Sequence, residues 1–214
     1  MFLIAQNDIS ILDMIASGGL AGILIIFILL LLSILSISIL IEKRMLISKV
    51  KHADRSGLEV VRGEVKSGNL REALERVKSI DLPEARMISK GLQRTHKPQA
   101  DLRQAVGAAG NLEIYGLERN INLLAAIAGA APMIGFLGTV IGMVIAFHKM
   151  ANAGGQVDVS MLSDGIYTAM TTTVAGLFVG IVAYLSYNYL VTEIAKLSHR
   201  FEATALDFFD ALEK

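Results

Sequence analysis

The chain has 214 residues, 53% of them hydrophobic, with 20 basic and 20 acidic side chains and a mean hydropathy of +0.55. That hydropathy is high for a water-soluble domain, and the bases are interleaved with acids such as Glu72, Glu75 and Glu84, which argues against nucleic acid as a partner. Cysteine is absent, so disulfide and thiolate chemistry are excluded.

Residues 1–19 carry Asp8 and Asp13 among Ile9, Leu12 and Ile15, a spacing that predicts a short helix at a membrane interface with Asn7 as its N-cap. No basic n-region precedes the apolar run that follows, so that run reads as a retained signal anchor. It is the first of three uncharged stretches, residues 20–41, 121–147 and 165–192. Each exceeds the roughly 20 residues a helix needs to cross a hydrocarbon core of about 30 Å. Of the 20 Lys/Arg, 16 fall in 42–120, and only Lys149 lies between the second and third stretches. The positive-inside rule then predicts the N-terminus outside, residues 42–120 inside, a short outer hairpin at 148–164, and residues 193–214 inside. The predicted fold is an all-α membrane protein with three transmembrane helices and a helical cytoplasmic domain.

The first span is almost purely Leu and Ile, broken by Ser33, Ser36 and Ser38, which favours contact with lipid. With no stop signal after Glu42, Lys43 and Arg44, its helix is expected to run on into the cytoplasm. Asn69 followed by Glu72 looks like a capping box opening a helix over 70–80, bracketed by Gly68 and Pro83. A second cytoplasmic helix is expected over 84–95, and a third from Gln99 running without a break into the second span, with Leu102, Val106, Ala109, Leu112 and Leu117 on its apolar face. This region contains no metal-ligand spacing, phosphate-binding loop or nucleophile constellation, so it is read as non-catalytic; neither a metal nor a cofactor is expected. After the third span, Ile194, Leu197, Phe201, Ala205 and Phe208 predict an amphipathic continuation packed on the cytoplasmic helices.

On a helical wheel, Ala125, Ala128, Pro132, Gly135, Thr139, Gly142 and Ala146 of the second span share one stripe. Gly165, Ala169, Thr172, Thr173, Gly176, Gly180 and Ala183 do the same in the third. Small residues let helix backbones approach closely in lipid. The stripes suit either packing within one chain or a shared interior between copies. Thr168, Thr171, Thr172 and Thr173 form the most polar patch of the spans, satisfied by back-bonding to their own helix or hydrated in a wet lining. Pro132 removes a backbone hydrogen bond and is expected to splay the inner half of the second span from its neighbours. No Asp, Glu, Lys, Arg or His lies in any of the three stretches, so this chain holds no titratable relay of its own. His148 stands at the outer boundary, opposite Thr139 on the wheel, and reads as an interfacial residue.

These residues resemble the ExbB/TolQ/MotA family of proton-channel motor proteins. The run APMIGFLGTVIGM at 131–143 is similar to that family's AP-x-x-G-x-x-GTV-x-G-[IM] pattern, and GIYTAMTTTVAG at 165–176 resembles its second signature. The segments GNLREAL at 68–74 and LERNINLL at 117–124 also resemble it, and the length with a short outer hairpin favours the ExbB/TolQ branch. The resemblance implies an oligomeric ring, typically a pentamer, in the bacterial inner membrane around the single membrane helices of an ExbD/TolR-like dimer whose helix carries an Asp. It implies proton flow that energises an envelope process, outer-membrane transport through a TonB-like protein or, alternatively, TolQ-like envelope integrity and division. The family's pore threonines fall on Thr139 and Thr173, with Thr168 and Thr172 beside them; Pro132, Gly135, Gly142, Gly176 and Gly180 become helix-packing positions. Many ExbB-like members carry Glu where this chain has Thr168, which also leaves room for a non-conducting membrane scaffold. An enzyme is not expected.

Overall fold

The computed structural model describes residues 19–152 and 159–213, and these are helical with no strand among them. Seven helices follow in order: α1 (Gly19–Lys51), α2 (Ser56–Lys66), α3 (Leu70–Lys78), α4 (Pro83–Leu92), α5 (Gln99–Glu118), α6 (Ile121–Asn152) and α7 (Val159–Leu212). Three stretches are long and apolar enough to cross a membrane, Ala21–Lys51, Gln99–Asn152 and Gly165–Leu212. The expected interfacial helix within residues 1–19 and the tip of the outer hairpin lie outside the described residues.

The chain divides into two compact units. The apolar unit comprises residues 1–39 and 122–187, so it holds most of α1, α6 and the first part of α7. Its core joins Ile25 and Leu29 of α1 with Ile127 and Ala131 of α6 and Val179 and Ala183 of α7. Although α1 is apolar all round, it buries one stripe, Ile25, Leu29, Ser36 and Ile39, at helical spacing. Leu24, Phe27, Leu30, Leu31 and Ile34 remain exposed, as expected of bulky side chains that face lipid rather than protein.

The polar unit comprises residues 40–121 and 188–214. Its core is built from Val61 and Val65 of α2, Ala73 and Val77 of α3, Met87 and Ile88 of α4, Leu102 and Val106 of α5, and Ile194, Leu197, Phe201 and Phe208 of α7. The last four recur at helical spacing, the periodicity that the amphipathic stripe requires. Gly91 gives this core its closest approach: a Cβ there would come within 2.7 Å of both the Phe208 ring and the Val106 methyl.

Charged groups tie the helix ends of this unit. Arg55 donates to the carbonyls of Val50, Lys51 and Ala53, satisfying backbone acceptors just after α1, and also reaches Glu84 Oε1 from Nε and Nη2 at 3.3 and 3.2 Å. Glu84, wholly buried in the first turn of α4, is thereby paired, as a buried carboxylate must be. Helix α5 has no basic residue in its last turn; buried Lys43 of α1 supplies one, donating to Gly116 O at 3.4 Å.

Four expectations from the sequence are corrected. Asn69 makes no side-chain capping bond; instead Gly68, at φ +80°, ends α2, and Asn69 N–H donates back to Glu64 O at 2.9 Å. The helix from Gln99 does not continue unbroken into the second span. It stops at Glu118, and Asn120 takes φ +68°, a left-handed conformation that Asn tolerates better than most residues. Leu112 is exposed, because Ala105 and Gly110 occupy the buried face of α5 along with Leu102 and Val106. Pro132 does not splay the inner half of α6. Ile127 and Ala131 stay buried against Val179 and Ala183, since Gly180 leaves room for the proline ring, whose Cγ would lie 2.6 Å from a Cβ at that position.

Candidate functional site

The two small-residue stripes meet each other within the chain. Along the seam, a Cβ added to Gly176 would lie 2.6 Å from Ala131 O and 2.8 Å from Gly135 Cα. One on Gly135 would lie 2.7 Å from Thr172 O, and one on Gly142 would lie 2.9 Å from Ala169 Cβ. Further out, Gly165 faces the Ala146 methyl. At these distances the obstructing atoms are mainly backbone, which cannot step aside. Glycine is therefore required for contact, and the contact supplies the dispersion that replaces the absent hydrophobic drive in lipid. Gly135, Gly142, Gly176 and Gly180 thus all sit on the α6–α7 seam, with Pro132 packed on Gly180.

The threonines divide by position. Thr172 is 1% exposed and fills the space above Gly138; its Oγ1 lies 2.7 Å from Ala169 O and 3.2 Å from Gly135 O. Thr173 is partly exposed and donates from Oγ1 to Gly135 O at 3.1 Å. Thr139 is partly exposed and donates back to Phe136 O at 2.6 Å. Thr171 back-bonds to Tyr167 O at 3.0 Å. The Thr168 side chain lies outside the described residues. In each case the hydroxyl proton is directed to a carbonyl, which leaves oxygen lone pairs on Thr139 and Thr173 at partly exposed positions.

Chemically, this is a neutral seam. It offers hydroxyl oxygens and backbone carbonyls to water or to a protonated acid, and the spans that hold it contain no group able to take up a proton. The opposite faces of α6 and α7 are exposed and apolar, with Met133, Phe136, Leu137 and Val140 on one and Met170, Val174, Phe178 and Ile181 on the other. His148 is exposed and lies 3.1 Å from the Asn152 side-chain nitrogen.

Sequence reasoning missed the charged cluster at the head of the polar part of α7. Glu193, just beyond the apolar stretch, accepts from Lys196 at 2.6 Å and from Lys51 at 2.9 Å. Those two hydrogen bonds hold its carboxyl down to about 2. The i,i+3 spacing of Glu193 and Lys196 was visible in the chain; the partner 142 residues away was not.

The profile of the MotA/TolQ/ExbB proton channel family matches residues 79–203, a segment that includes the whole seam. Among curated relatives, the Tol-Pal system protein TolQ of Haemophilus influenzae is 32% identical over 206 residues, covering 86% of this chain and 85% of that protein. The biopolymer transport protein ExbB of Neisseria gonorrhoeae is 31% identical over 155 residues, covering 65% of this chain and 69% of that protein. A putative ExbB homolog of Methanothermobacter thermautotrophicus is 26% identical across 86% of this chain, which spans 64% of that relative's length.

Proposed function

Because the chain belongs to the MotA/TolQ/ExbB proton channel family, we propose that it is a ring-forming subunit of a motor driven by the proton-motive force in the bacterial inner membrane. It assembles as a pentamer, with its N-terminus in the periplasm, around an ExbD/TolR-like single-span partner. Through a TonB-like protein the assembly energises transport across the outer membrane.

One observation carries this reading: two partly exposed hydroxyls, Thr139 and Thr173, stand in spans that contain no ionisable side chain. A proton crossing such a seam needs a carboxylate from elsewhere, and an Asp on the partner helix supplies it. Thr139 and Thr173 then accept hydrogen bonds from water or from the protonated Asp, and Thr168 adds a third hydroxyl where many ExbB-like members carry Glu. Thr172, buried and bonded to carbonyls, takes no direct part and locks α7 onto α6. One charge moving through 100 mV releases about 2.3 kcal/mol, enough to bias an assembly between two packed states.

The test is proton flux into vesicles containing the chain with and without its partner. Rapid flux is expected only with both, and equal flux from the chain alone overturns the reading. Thr168→Val should reduce flux in the complete assembly; unchanged flux removes Thr168 from the pathway.

A TolQ-like role in envelope integrity is the second reading, favoured by the broader coverage of the Haemophilus influenzae relative. Expression in strains lacking either system separates the two: restored detergent resistance supports the TolQ role, restored receptor-dependent uptake the ExbB role.

A further inference from the structure

We propose that Thr172 is a positioning residue for Thr173, its hydroxyl acting as a stand-in donor to the Gly135 carbonyl when the Thr173 hydroxyl turns away. The inference rests on the reading of Thr173 as a pathway hydroxyl.

Two consecutive hydroxyls converge on one acceptor. Thr173 Oγ1 lies 3.1 Å from Gly135 O, and Thr172 Oγ1 lies 3.2 Å from the same oxygen. Thr172 also lies 2.7 Å from Ala169 O. A hydroxyl has one proton to donate, so Thr172 fully satisfies only one of its two carbonyls, and the shorter distance assigns it to Ala169. Gly135 O has two lone pairs. One receives the helical N–H of Thr139 in the unbroken α6, and the other receives Thr173. Thr172 is a third donor held in reserve at hydrogen-bonding distance.

Burial decides which hydroxyl moves. Thr172 is 1% exposed and packed over Gly138, so its proton reaches only the two carbonyls. Thr173 is partly exposed, and its hydroxyl has somewhere to turn. When it leaves, Thr172 rotates onto Gly135 O, while Ala169 O keeps the helical N–H of Thr173. Neither carbonyl is left without a donor. In a dry interior an acceptor stripped of its donor raises the barrier to such a step. Thr172 therefore makes the release of Thr173 easier.

Thr172→Val keeps the shape and removes the hydroxyl, whereas Thr172→Ser keeps the hydroxyl and removes the methyl. In vesicles holding the complex with its ExbD/TolR-type partner, Thr172→Val should slow proton flux about three- to tenfold, the worth of one hydrogen bond. Thr172→Ser should recover most of the flux. The double variant Thr172→Val with Thr173→Val should conduct no worse than Thr173→Val alone, because Thr172 acts through Thr173. For the chain alone in detergent, NMR three-bond couplings to Thr173 Cγ2 should show rotamer averaging in the parent and one rotamer in Thr172→Val. Equal loss of flux in both single variants with a lowered Tm would reduce Thr172 to packing and overturn the inference. Additive losses in the double variant, or identical Thr173 couplings throughout, would also overturn it. If Thr173→Val itself leaves flux unchanged, the pathway reading fails instead, and the couplings still decide whether Thr172 controls the Thr173 rotamer.

Discussion

Thr173 donates its hydroxyl to the carbonyl of Gly135 at 3.1 Å, and a Cβ on Gly135 would lie only 3.2 Å from Thr173 Cα. The polar contact and the close backbone approach are thus one feature: a side chain on Gly135 would push Thr173 out of reach.

Loss of the hydroxyls should lower transport without loss of fold. Thr173→Val removes the donor to Gly135 and the exposed oxygen, and Thr139→Val removes an oxygen whose proton is already directed to Phe136 O. Each is expected to reduce proton flux through the assembled complex by roughly tenfold, with Tm shifted little because one hydrogen bond contributes about 1 kcal/mol. The corresponding Ser variants should stay near the parent, and dye-monitored flux with thermal unfolding checks both points.

Gly176→Ala should be far worse than its size suggests. Its Cβ would sit 2.6 Å from Ala131 O and 2.8 Å from Gly135 Cα, and neither atom can rotate away. Overpacking against backbone is expected to cost about 2–3 kcal/mol. Gly129→Ala, in the same helix pair but with nothing within 4 Å, should be neutral or slightly stabilising. Unfolding of the two variants in one detergent gives the comparison; equal Tm values would refute the seam.

The ionised Glu193 should contribute stability that disappears only in strong acid. Its carboxyl is depressed from 4.5 to about 2 by hydrogen bonds from Lys196 and Lys51. A depressed carboxylate stabilises the fold fully above its unfolded value and loses that contribution as pH falls through the folded one. The difference in unfolding stability between the parent and Glu193→Gln is expected to be constant from neutral pH down to about 5. It should then shrink between roughly 4.5 and 2.

Removing Arg55 should be costlier than removing an exposed cation. Arg55→Met leaves wholly buried Glu84 without its ion-pair partner and frees the carbonyls of Val50, Lys51 and Ala53. Breaking a buried pair on one side costs roughly 3–5 kcal/mol, and partial exposure of Arg55 places this case near 3. Lys78→Met, which breaks an exposed i,i+3 pair with Glu75, should change stability by less than about 0.5 kcal/mol.

The exposed apolar faces of α6 and α7 should govern assembly and not folding of the chain. Phe178→Ser, on a side chain 68% exposed, is expected to weaken oligomer formation while leaving the Tm of the dispersed chain nearly unchanged. Native mass measurement of the purified complex reads the difference.

Local chemistry alone determined much of this protein. Apolar length set the three spans, lysine and arginine placement set the expected topology, and helical spacing of Gly, Ala and Thr marked the faces that touch. These depend on residues within a few turns of one another, so they can be read along the chain. What tertiary structure decided depends on partners far apart in sequence. It separated Thr172 from Thr173, adjacent residues about 100° apart on the helix, into a buried lock and a partly exposed hydroxyl, because α6 covers one side of α7 and not the other. It turned Pro132 from an expected wedge into a packed ring, because Gly180 lay opposite. It paired Glu84 with Arg55 and Glu193 with Lys51, and it ended α5 at Asn120. A charge or a turn is satisfied by whatever the fold brings near it, and no local pattern specifies that neighbour.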